Sequence, residues 1–297
     1  MVALIACRRE LKLCDFCRKH AEKYGKWYLN PKGYSEELFY KLTLLDRILN
    51  RRPLREREMW KYSDAAWYPL PISKTLGLVD LAAKPLIGGL VRVIGNVIAV
   101  REHAGQVVPL EDAYRIVELS EKQALFPCMC KRLFKGDDEY KCLNFTPAPD
   151  FAEKHPRGWR VKWLEREEAK EKLEEFSEKG YVHAVFWWYG LPQVICVCNC
   201  DVRYCYAARP RLWYGIRKAY VKAEYVAEVD QDRCSGDIPR CGNCVARCQF
   251  GAITLTSKGA SVDTYKCFGC GQCRFGCEED AVRLVDRNTH PIAKGLW

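Results

Sequence analysis

The clearest helical pattern in the chain lies at residues 110–124, where apolar positions recur at the spacing of one helix face. A second helix is predicted at 165–179, because strong helix formers fill this segment and Gly180 ends it. Apolar runs at 181–189 and 193–198 predict two strands. The Gly-Leu-Pro turn between these strands makes them a β-hairpin.

A helix followed by a hairpin resembles a winged-helix arrangement at the level of the fold. The connection at 131–160 is polar and contains three prolines, so it is predicted to be a surface loop. Residues 228–297 contain an internal duplication, because each half has a short strand, four cysteines and a second strand.

These patterns predict an α+β protein in three parts. Residues 1–109 are basic, aromatic-rich and mainly helical or irregular, 110–227 form the helix-and-hairpin domain, and 228–297 form the duplicated module. The most apolar stretch, 76–100, is interrupted by charges, Pro and Gly before it reaches the roughly 20 apolar residues of a membrane span. It is predicted to lie in the core or at an interface, and no membrane span is predicted.

Cysteine is far more frequent than in an ordinary protein, with 18 residues in 297. A disulfide-rich secreted protein is the simplest alternative. However, the first residues do not have the basic stretch and long apolar run of a secretory signal. Cys-x-Cys and Cys-x2-Cys spacings are typical of metal ligands, so the sequence predicts metal binding in a reducing cytoplasm.

The last cysteine quartet has the spacing Cys-x2-Cys-x2-Cys-x3-Cys and consists of Cys267, Cys270, Cys273 and Cys277. A cubane [4Fe–4S] cluster needs four thiolates at its iron corners, and one short loop with two-residue gaps can reach three of them. Zinc also binds four thiolates, but usually through two separated Cys-x2-Cys pairs. The spacing therefore favours a cluster over zinc.

The preceding quartet is Cys234, Cys241, Cys244 and Cys248, and together the two quartets resemble the bacterial-type two-cluster ferredoxin family over residues 228–290. The chain departs from that family in two ways: six residues separate the first two cysteines, and no proline follows either quartet. The resemblance implies a ferredoxin-like domain with crossed ligation, in which the last cysteine of each quartet binds the other cluster. One cluster would then be held by Cys234, Cys241, Cys244 and Cys277, and the other by Cys267, Cys270, Cys273 and Cys248.

Seven cysteines form an upstream group: Cys128, Cys130, Cys142, Cys196, Cys198, Cys200 and Cys205. The motifs PCMCKR and ICVCNCD resemble uncharacterised iron–sulfur proteins of anaerobic bacteria and archaea, which implies no firm function. Alternate residues of a strand point to one face, so the hairpin is expected to present its thiols together. A third [4Fe–4S] cluster is predicted at Cys128, Cys130, Cys142, Cys198, Cys200 and Cys205, with structural zinc or unligated redox-active thiols as the alternatives.

Three further cysteines lie near the start of the sequence, at Cys7, Cys14 and Cys17, with His20 just beyond them. Such a set can bind zinc or supply ligands to a further cluster, and buried inert cysteines are the alternative. The sequence contains no Walker loop, dinucleotide fingerprint or nucleophile elbow, so no catalytic residue is assigned.

The formal net charge of +10 lies upstream of residue 228, since the module beyond it has nine acidic and nine basic side chains. Two basic segments, 1–61 and 203–222, are predicted to attract an acidic partner. The preferred function is a subunit that relays single electrons between an acidic redox carrier and a larger oxidoreductase. A redox enzyme with a substrate-binding or thiol-active site at the upstream cysteines is the alternative, and nucleic-acid binding ranks third.

Overall fold

The computed structural model describes residues 19–40, 52–67, 79–102, 105–188, 192–236 and 241–297, together with the single positions 48 and 77. The fold over these residues is a mixture of helices and strands, as the sequence predicts. Up to residue 102 the regular elements of the described residues are helical, which agrees with the predicted character of the N-terminal part.

The helices are α1 Glu36–Tyr40, α2 Arg52–Trp67, α3 Gly88–Glu102, α4 Leu110–Leu119, α5 Met129–Lys135, α6 Ala148–Glu153, α7 Arg166–Glu178, α8 Arg209–Leu212 and α9 Asn243–Ala246. The strands are β1 Gly105–Val107, β2 Gln123–Pro127, β3 Tyr140–Phe145, β4 Lys162–Leu164, β5 Val182–Trp187, β6 Val194–Cys200, β7 Tyr225–Val229, β8 Ile253–Thr256, β9 Gly259–Val262 and β10 Val282–Asp286.

The predicted hairpin, β5 and β6, lies at the centre of a six-stranded sheet with the order β1-β5-β6-β3-β2-β4. Every neighbouring pair in this sheet is antiparallel. The winged-helix interpretation was therefore wrong, because the hairpin is not a wing beside a helical bundle but the middle of a large sheet. The two strands themselves agree with the prediction.

The two faces of the sheet have different chemistry because side chains alternate along each strand. Val197 of β6 packs with Val185 and Leu143 of its neighbours, and α4 and α7 cover this face with a hydrophobic core. The thiols of β3 and β6 line a cavity with α2 residues, away from that core. The alternation thus separates an apolar core from a face that carries thiols.

The predicted helix at 165–179 is confirmed as α7, and a capping box between Glu165 and Glu168 fixes its start. The other predicted helix is confirmed as α4, but it ends at Leu119 instead of continuing to residue 124. Ser120 has extended backbone, and the next apolar residues form the buried strand β2. Apolar spacing could not distinguish the end of a helix from the start of a fully buried strand.

The predicted surface loop at 131–160 was wrong. This segment contains the end of α5, all of β3, and α6. Leu143 and Phe145 of β3 are buried in the core. A helix tolerates proline in its first turn, and α6 has Pro149 there, so proline marked the start of a helix and not a loop.

The C-terminal module has the predicted duplicated strands. The first strand, β7, pairs with the last, β10, and β8 pairs with β9. The module is tied to the sheet domain through Gln249, the residue that replaces the expected proline after Cys248. The Gln249 side chain accepts a hydrogen bond from the Val202 backbone N–H at 2.6 Å and donates to the Gly180 carbonyl. This departure from the ferredoxin pattern therefore has a structural role between the two parts of the chain.

Helix α3 lies in the stretch that the sequence assigned to the core or an interface. Its larger apolar side chains do not form a core, since Leu90, Val93 and Ile98 are more than half exposed to solvent, although Ala99 is buried. The helix has 15 residues. None of the helices formed by the described residues is long and apolar enough to cross a bilayer.

His183 of β5 makes the stability of the sheet sensitive to acid. It is fully buried, with Nε2 at 2.7 Å from Ser177 Oγ and Nδ1 at 2.6 Å from Asn199 Oδ1. Burial lowers the pKa of His183 to about 4. The unfolded state therefore binds the extra proton first, and stability falls as the pH drops from about 6.5 towards 4, by at most about 3 kcal/mol.

We expect His183→Gln to be less stable than the native chain at pH 7 but to lose less further stability between pH 6.5 and 4.5. Denaturant midpoints measured by tryptophan fluorescence across this range test the difference. Parallel losses in the two proteins would show that His183 does not cause the acid sensitivity.

Candidate metal centres

The eight module cysteines lie in two loops that follow β7 and β9. The antiparallel pairing of β7 with β10 and of β8 with β9 brings these loops together, because strands from different halves of the duplication become neighbours. The surroundings of one cysteine in each loop show which other thiols lie close to it.

Cys244 belongs to the first quartet. Burial raises the pKa of Cys244, and the neighbouring thiols of Cys241, Cys277 and Cys234 raise it further. Cys277 comes from the second quartet. The surroundings of Cys244 thus give a first group of four thiols, Cys234, Cys241, Cys244 and Cys277. Cys244 also contributes to the raised pKa of Cys273, so this group is a neighbour of the thiols of the second quartet.

Cys270 belongs to the second quartet. Burial raises the pKa of Cys270 well above its usual value, with further contributions from Cys273, Cys267 and Cys248. Cys248 comes from the first quartet, and the same four thiols line a small cavity between β7 and the loop after β9. The second group is therefore Cys267, Cys270, Cys273 and Cys248.

Backbone N–H groups point at the sulfur atoms with a repeated pattern in the two halves. The four donors are all alanines: Ala252 donates to Cys248 at 3.2 Å, Ala281 to Cys277 at 3.2 Å, Ala260 to Cys234 at 3.3 Å and Ala227 to Cys267 at 3.4 Å. Such donors stabilise negative charge on sulfur, as hydrogen bonds to the thiolates of iron–sulfur clusters do.

Buried positive charge surrounds the second group of thiols. Arg287 is fully buried and donates to the Cys267 carbonyl at 3.0 Å. Lys222 and Arg211 lie over the Phe268 ring, at 5.5 and 4.8 Å from its centroid. Burial, with the repulsion of Arg287 and Arg211, lowers the pKa of Lys222 to about 7. Buried cations need a nearby anion, so this environment fits a negatively charged four-thiolate cluster.

All seven upstream cysteines line one cavity of about 550 Å³, although they come from α5, β3, β6 and the turn before α8. They are Cys128, Cys130, Cys142, Cys196, Cys198, Cys200 and Cys205. The sequence predicted that these thiols converge, but it left Cys196 out of the ligand set. Its place in the Cys-x-Cys-x-Cys alternation of β6 predicts that its thiol faces the same cavity, but not that it is a ligand.

Four of these thiols are linked to one another. Cys200 and Cys205 have their Sγ atoms 3.7 Å apart. Hydrogen bonds with Cys128 and Cys205, and burial, raise the pKa of Cys130 well above its usual value. The Cys130 sulfur also accepts the Tyr206 backbone N–H at 3.3 Å. The four-thiol group is therefore Cys128, Cys130, Cys200 and Cys205.

The other three thiols form a separate group. Cys142 of β3 and Cys198 of β6 are directly opposite in the sheet, with 3.4 Å between their Sγ atoms. Cys196 lies 3.6 Å from Cys198. A hydrogen bond between Cys142 and Cys128 joins this three-thiol group to the four-thiol group.

Lys141 places a buried ammonium beside the four-thiol group. Its side chain is 1% exposed, and the ammonium has no hydrogen-bond partner among the described residues, although the Glu139 carboxylate is 3.7 Å away. Burial opposes its positive charge, but the thiolates of Cys128 and Cys200 outweigh this and raise the pKa of Lys141. A buried cation of this kind fits an anionic cluster on the four thiols.

One buried aromatic residue joins the upstream and C-terminal thiols. Burial raises the pKa of Tyr220 well above its usual value, and the thiols of Cys200, Cys205, Cys198 and Cys270 add to the effect. The Tyr220 and Phe268 rings are 6.1 Å apart in the same hydrophobic core. The two thiol regions are thus separated by little more than aromatic side chains.

The basic segment at 203–222 is only partly exposed at the protein surface. Arg203, Arg217 and Lys218 are exposed. Arg209 lies between the rings of Phe134 and Trp213, at 3.9 and 4.0 Å. Arg211 donates to the Tyr220 carbonyl at 2.9 Å and, as described, lies over Phe268. These last two arginines therefore support the packing and are not free to bind a partner.

Among the described residues, no three His, Cys, Asp or Glu side chains are placed as ligands of one metal ion. A [4Fe–4S] cluster does not need three side chains that converge on one metal ion, because each of its irons binds one thiolate. Cys7, Cys14 and Cys17 lie outside the described residues, so their predicted metal site is not tested.

The chain matches no protein-family model, no curated protein and no solved structure. The function is therefore inferred from the cysteine spacing and from the surroundings of the thiols.

Proposed function

We propose that the chain is an iron–sulfur electron-transfer protein whose C-terminal module binds two [4Fe–4S] clusters. One observation carries the proposal: the module cysteines form two groups of four, and each group includes one cysteine of the other quartet. This is the arrangement that crossed ligation requires. The alanine N–H donors and the buried cations support it, since both stabilise an anionic thiolate cluster.

A third [4Fe–4S] cluster is proposed at Cys128, Cys130, Cys200 and Cys205. These four thiols lie together, and the buried Lys141 ammonium offsets their negative charge. The sequence prediction also included Cys142 and Cys198. Both belong to the three-thiol group and are not ligands of the proposed third cluster.

The bound clusters would supply one-electron transfer, and the protein holds their sites close together. Tyr220 and Phe268 fill the space between the four-thiol group and the second module group and exclude water from it. Electrons would thus pass between the third site and the C-terminal module through this packed region.

The proposed partners are an acidic redox carrier and a larger oxidoreductase. The exposed cations Arg217 and Lys218 offer the charge that would attract an acidic protein, whereas the Arg203 guanidinium is paired with Asp201 at 3.0 Å. Docking of this kind acts mainly on the association rate, so it should weaken as salt rises.

Electron paramagnetic resonance of the anaerobically purified chain tests the function. After reduction with dithionite, we expect the signals of magnetically interacting reduced [4Fe–4S] clusters, and their loss when a one-electron acceptor is added. A folded chain that shows no paramagnetic signal and no cluster absorbance would contradict the proposal.

A further inference from the structure

The three-thiol group of Cys142, Cys196 and Cys198 is left over when the proposed clusters have their ligands. Cys142 and Cys198 are half-buried, and both line the cavity of about 550 Å³. Their sulfur atoms are 3.4 Å apart, closer than those of the pairs Cys196–Cys198 and Cys200–Cys205. They also lie on neighbouring, paired strands, so the backbone fixes how their side chains approach each other.

We propose that Cys142 and Cys198 are a redox-active dithiol that forms a cross-strand disulfide. Residues directly opposite in an antiparallel pair have Cα atoms about 4.5 to 5.5 Å apart, within the roughly 4.4 to 6.8 Å that a disulfide spans. The sulfur atoms need to approach from 3.4 Å to about 2.05 Å, which side-chain rotation can provide without moving the strands.

Cys196 is a poorer partner for Cys198, although their sulfur atoms are only 3.6 Å apart. The two residues are on the same strand, so their Cα atoms are about 6.6 Å apart, at the upper limit for a disulfide. Cys196 is opposite Asn144, so it has no thiol across the sheet. The register therefore selects Cys142 as the partner.

The cavity beside this pair points to the chemical class of the oxidant. The four-thiol group lines the same cavity, so a bound cluster would take part of its volume, and the part beside the dithiol has aromatic side chains such as Tyr62 and Trp188 in its wall. A small-molecule disulfide could enter it and meet the dithiol. The Tyr62 hydroxyl, which donates to Asn144 Oδ1 at 2.6 Å, keeps a polar group at this end of the cavity.

The reaction is thiol–disulfide exchange. The hydrogen bond with Cys128 raises the pKa of Cys142, and the hydrogen bond with Cys142 raises the pKa of Cys198, so the attacking thiolate forms only as the pH rises. That thiolate attacks a sulfur of the small disulfide, which releases one thiol and leaves a mixed disulfide. The second Cys thiolate then attacks the protein sulfur of that mixed disulfide and releases the second thiol. Two protein thiols are oxidised to one disulfide, and one small disulfide is reduced to two thiols, with the two protons passing to the products. This chemistry does not depend on the proposed clusters.

The test uses the full chain, purified without oxygen and equilibrated with mixtures of reduced and oxidised glutathione. Free thiols are then alkylated, and peptides are identified by mass spectrometry. We expect a peptide pair linked through Cys142 and Cys198, in an amount that follows the ratio of glutathione disulfide to the square of glutathione. Reduction should remove the link completely.

Four variants separate the alternatives. Cys142→Ser and Cys198→Ser should lose the link and keep the iron content of the native chain, whereas Cys196→Ser, the matched control on the same strand, should keep both. The proposal is overturned if no link forms at any ratio, or if the link joins Cys196 instead. It is also overturned if Cys142→Ser and Cys198→Ser lose as much iron or zinc as Cys200→Ser, since the two thiols would then be metal ligands. Iron loss in Cys200→Ser tests the third cluster separately.

Discussion

Replacing Cys248 with alanine should abolish the cluster bound by the other quartet and spare the cluster of its own. Cys248 is a close neighbour of Cys270 and Cys273, and its sulfur accepts the Ala252 N–H in that group. The Cys248→Ala protein should therefore lose at least one and up to about four of its irons, because the corner without a thiolate releases its iron first and the weakened cubane is then prone to break down. Iron analysis combined with electron paramagnetic resonance measures the loss.

The reciprocal variant, Cys277→Ala, provides the matched control. It should damage the cluster at Cys234, Cys241 and Cys244 and leave the other signal intact, because Cys277 is a neighbour of Cys244. The two variants should lose different resonances. If each variant lost only the signal of its own quartet, crossed ligation would be wrong, although both clusters could still be present.

A single methyl group at Gly269 should unfold the cluster region of the module. Gly269 has φ +70°, and an added Cβ would lie far inside contact distance of the Tyr225 carbonyl and 3.2 Å from Ala223 Cβ. The left-handed backbone costs a non-glycine residue about 1 to 2 kcal/mol, and the collision adds about 1 to 3 kcal/mol. We expect Gly269→Ala to lose the second cluster and to lower the stability of the chain by about 3 kcal/mol.

Gly251→Ala separates the collision from the backbone strain. Gly251 also has a positive φ, +59°, but no atom in the part of the chain that the structure describes lies within 4 Å of its added Cβ. Its substitution should cost only about 1 kcal/mol and keep all the iron. Thermal or denaturant unfolding of the cluster-loaded proteins compares the two, and equal effects would mean that the packing of Gly269 against β7 is unimportant.

Local patterns predicted the helices and the hairpin because each depends on neighbouring residues. The α7 segment has a strong helical composition and a glycine after its end, and both signals are local. The assignment of 131–160 failed because β3 is a strand only through its pairing with β2 and β6, which are distant in the sequence. Proline in the segment 131–160 indicates a loop in the sequence, but proline is also favoured in the first turn of a helix.

The thiol groups could be predicted only in part for a similar reason. Spacing gave the two quartets, and strand alternation gave the convergence of the upstream cysteines. The division into four and three thiols depends on the register of Cys142 opposite Cys198, which no spacing rule contains. Lys141 and Tyr220 carry no motif, and only their burial beside the thiols gives them a role.

Iron and acid-labile sulfide analysis of the anaerobically purified chain tests the central claim most directly. Two crossed clusters require about eight irons and about eight sulfides per chain, and the third site raises each value to about twelve. Zinc should be well below one ion per chain, unless the cysteines near the start of the sequence bind it. Four irons or fewer, with zinc in their place, would contradict the account.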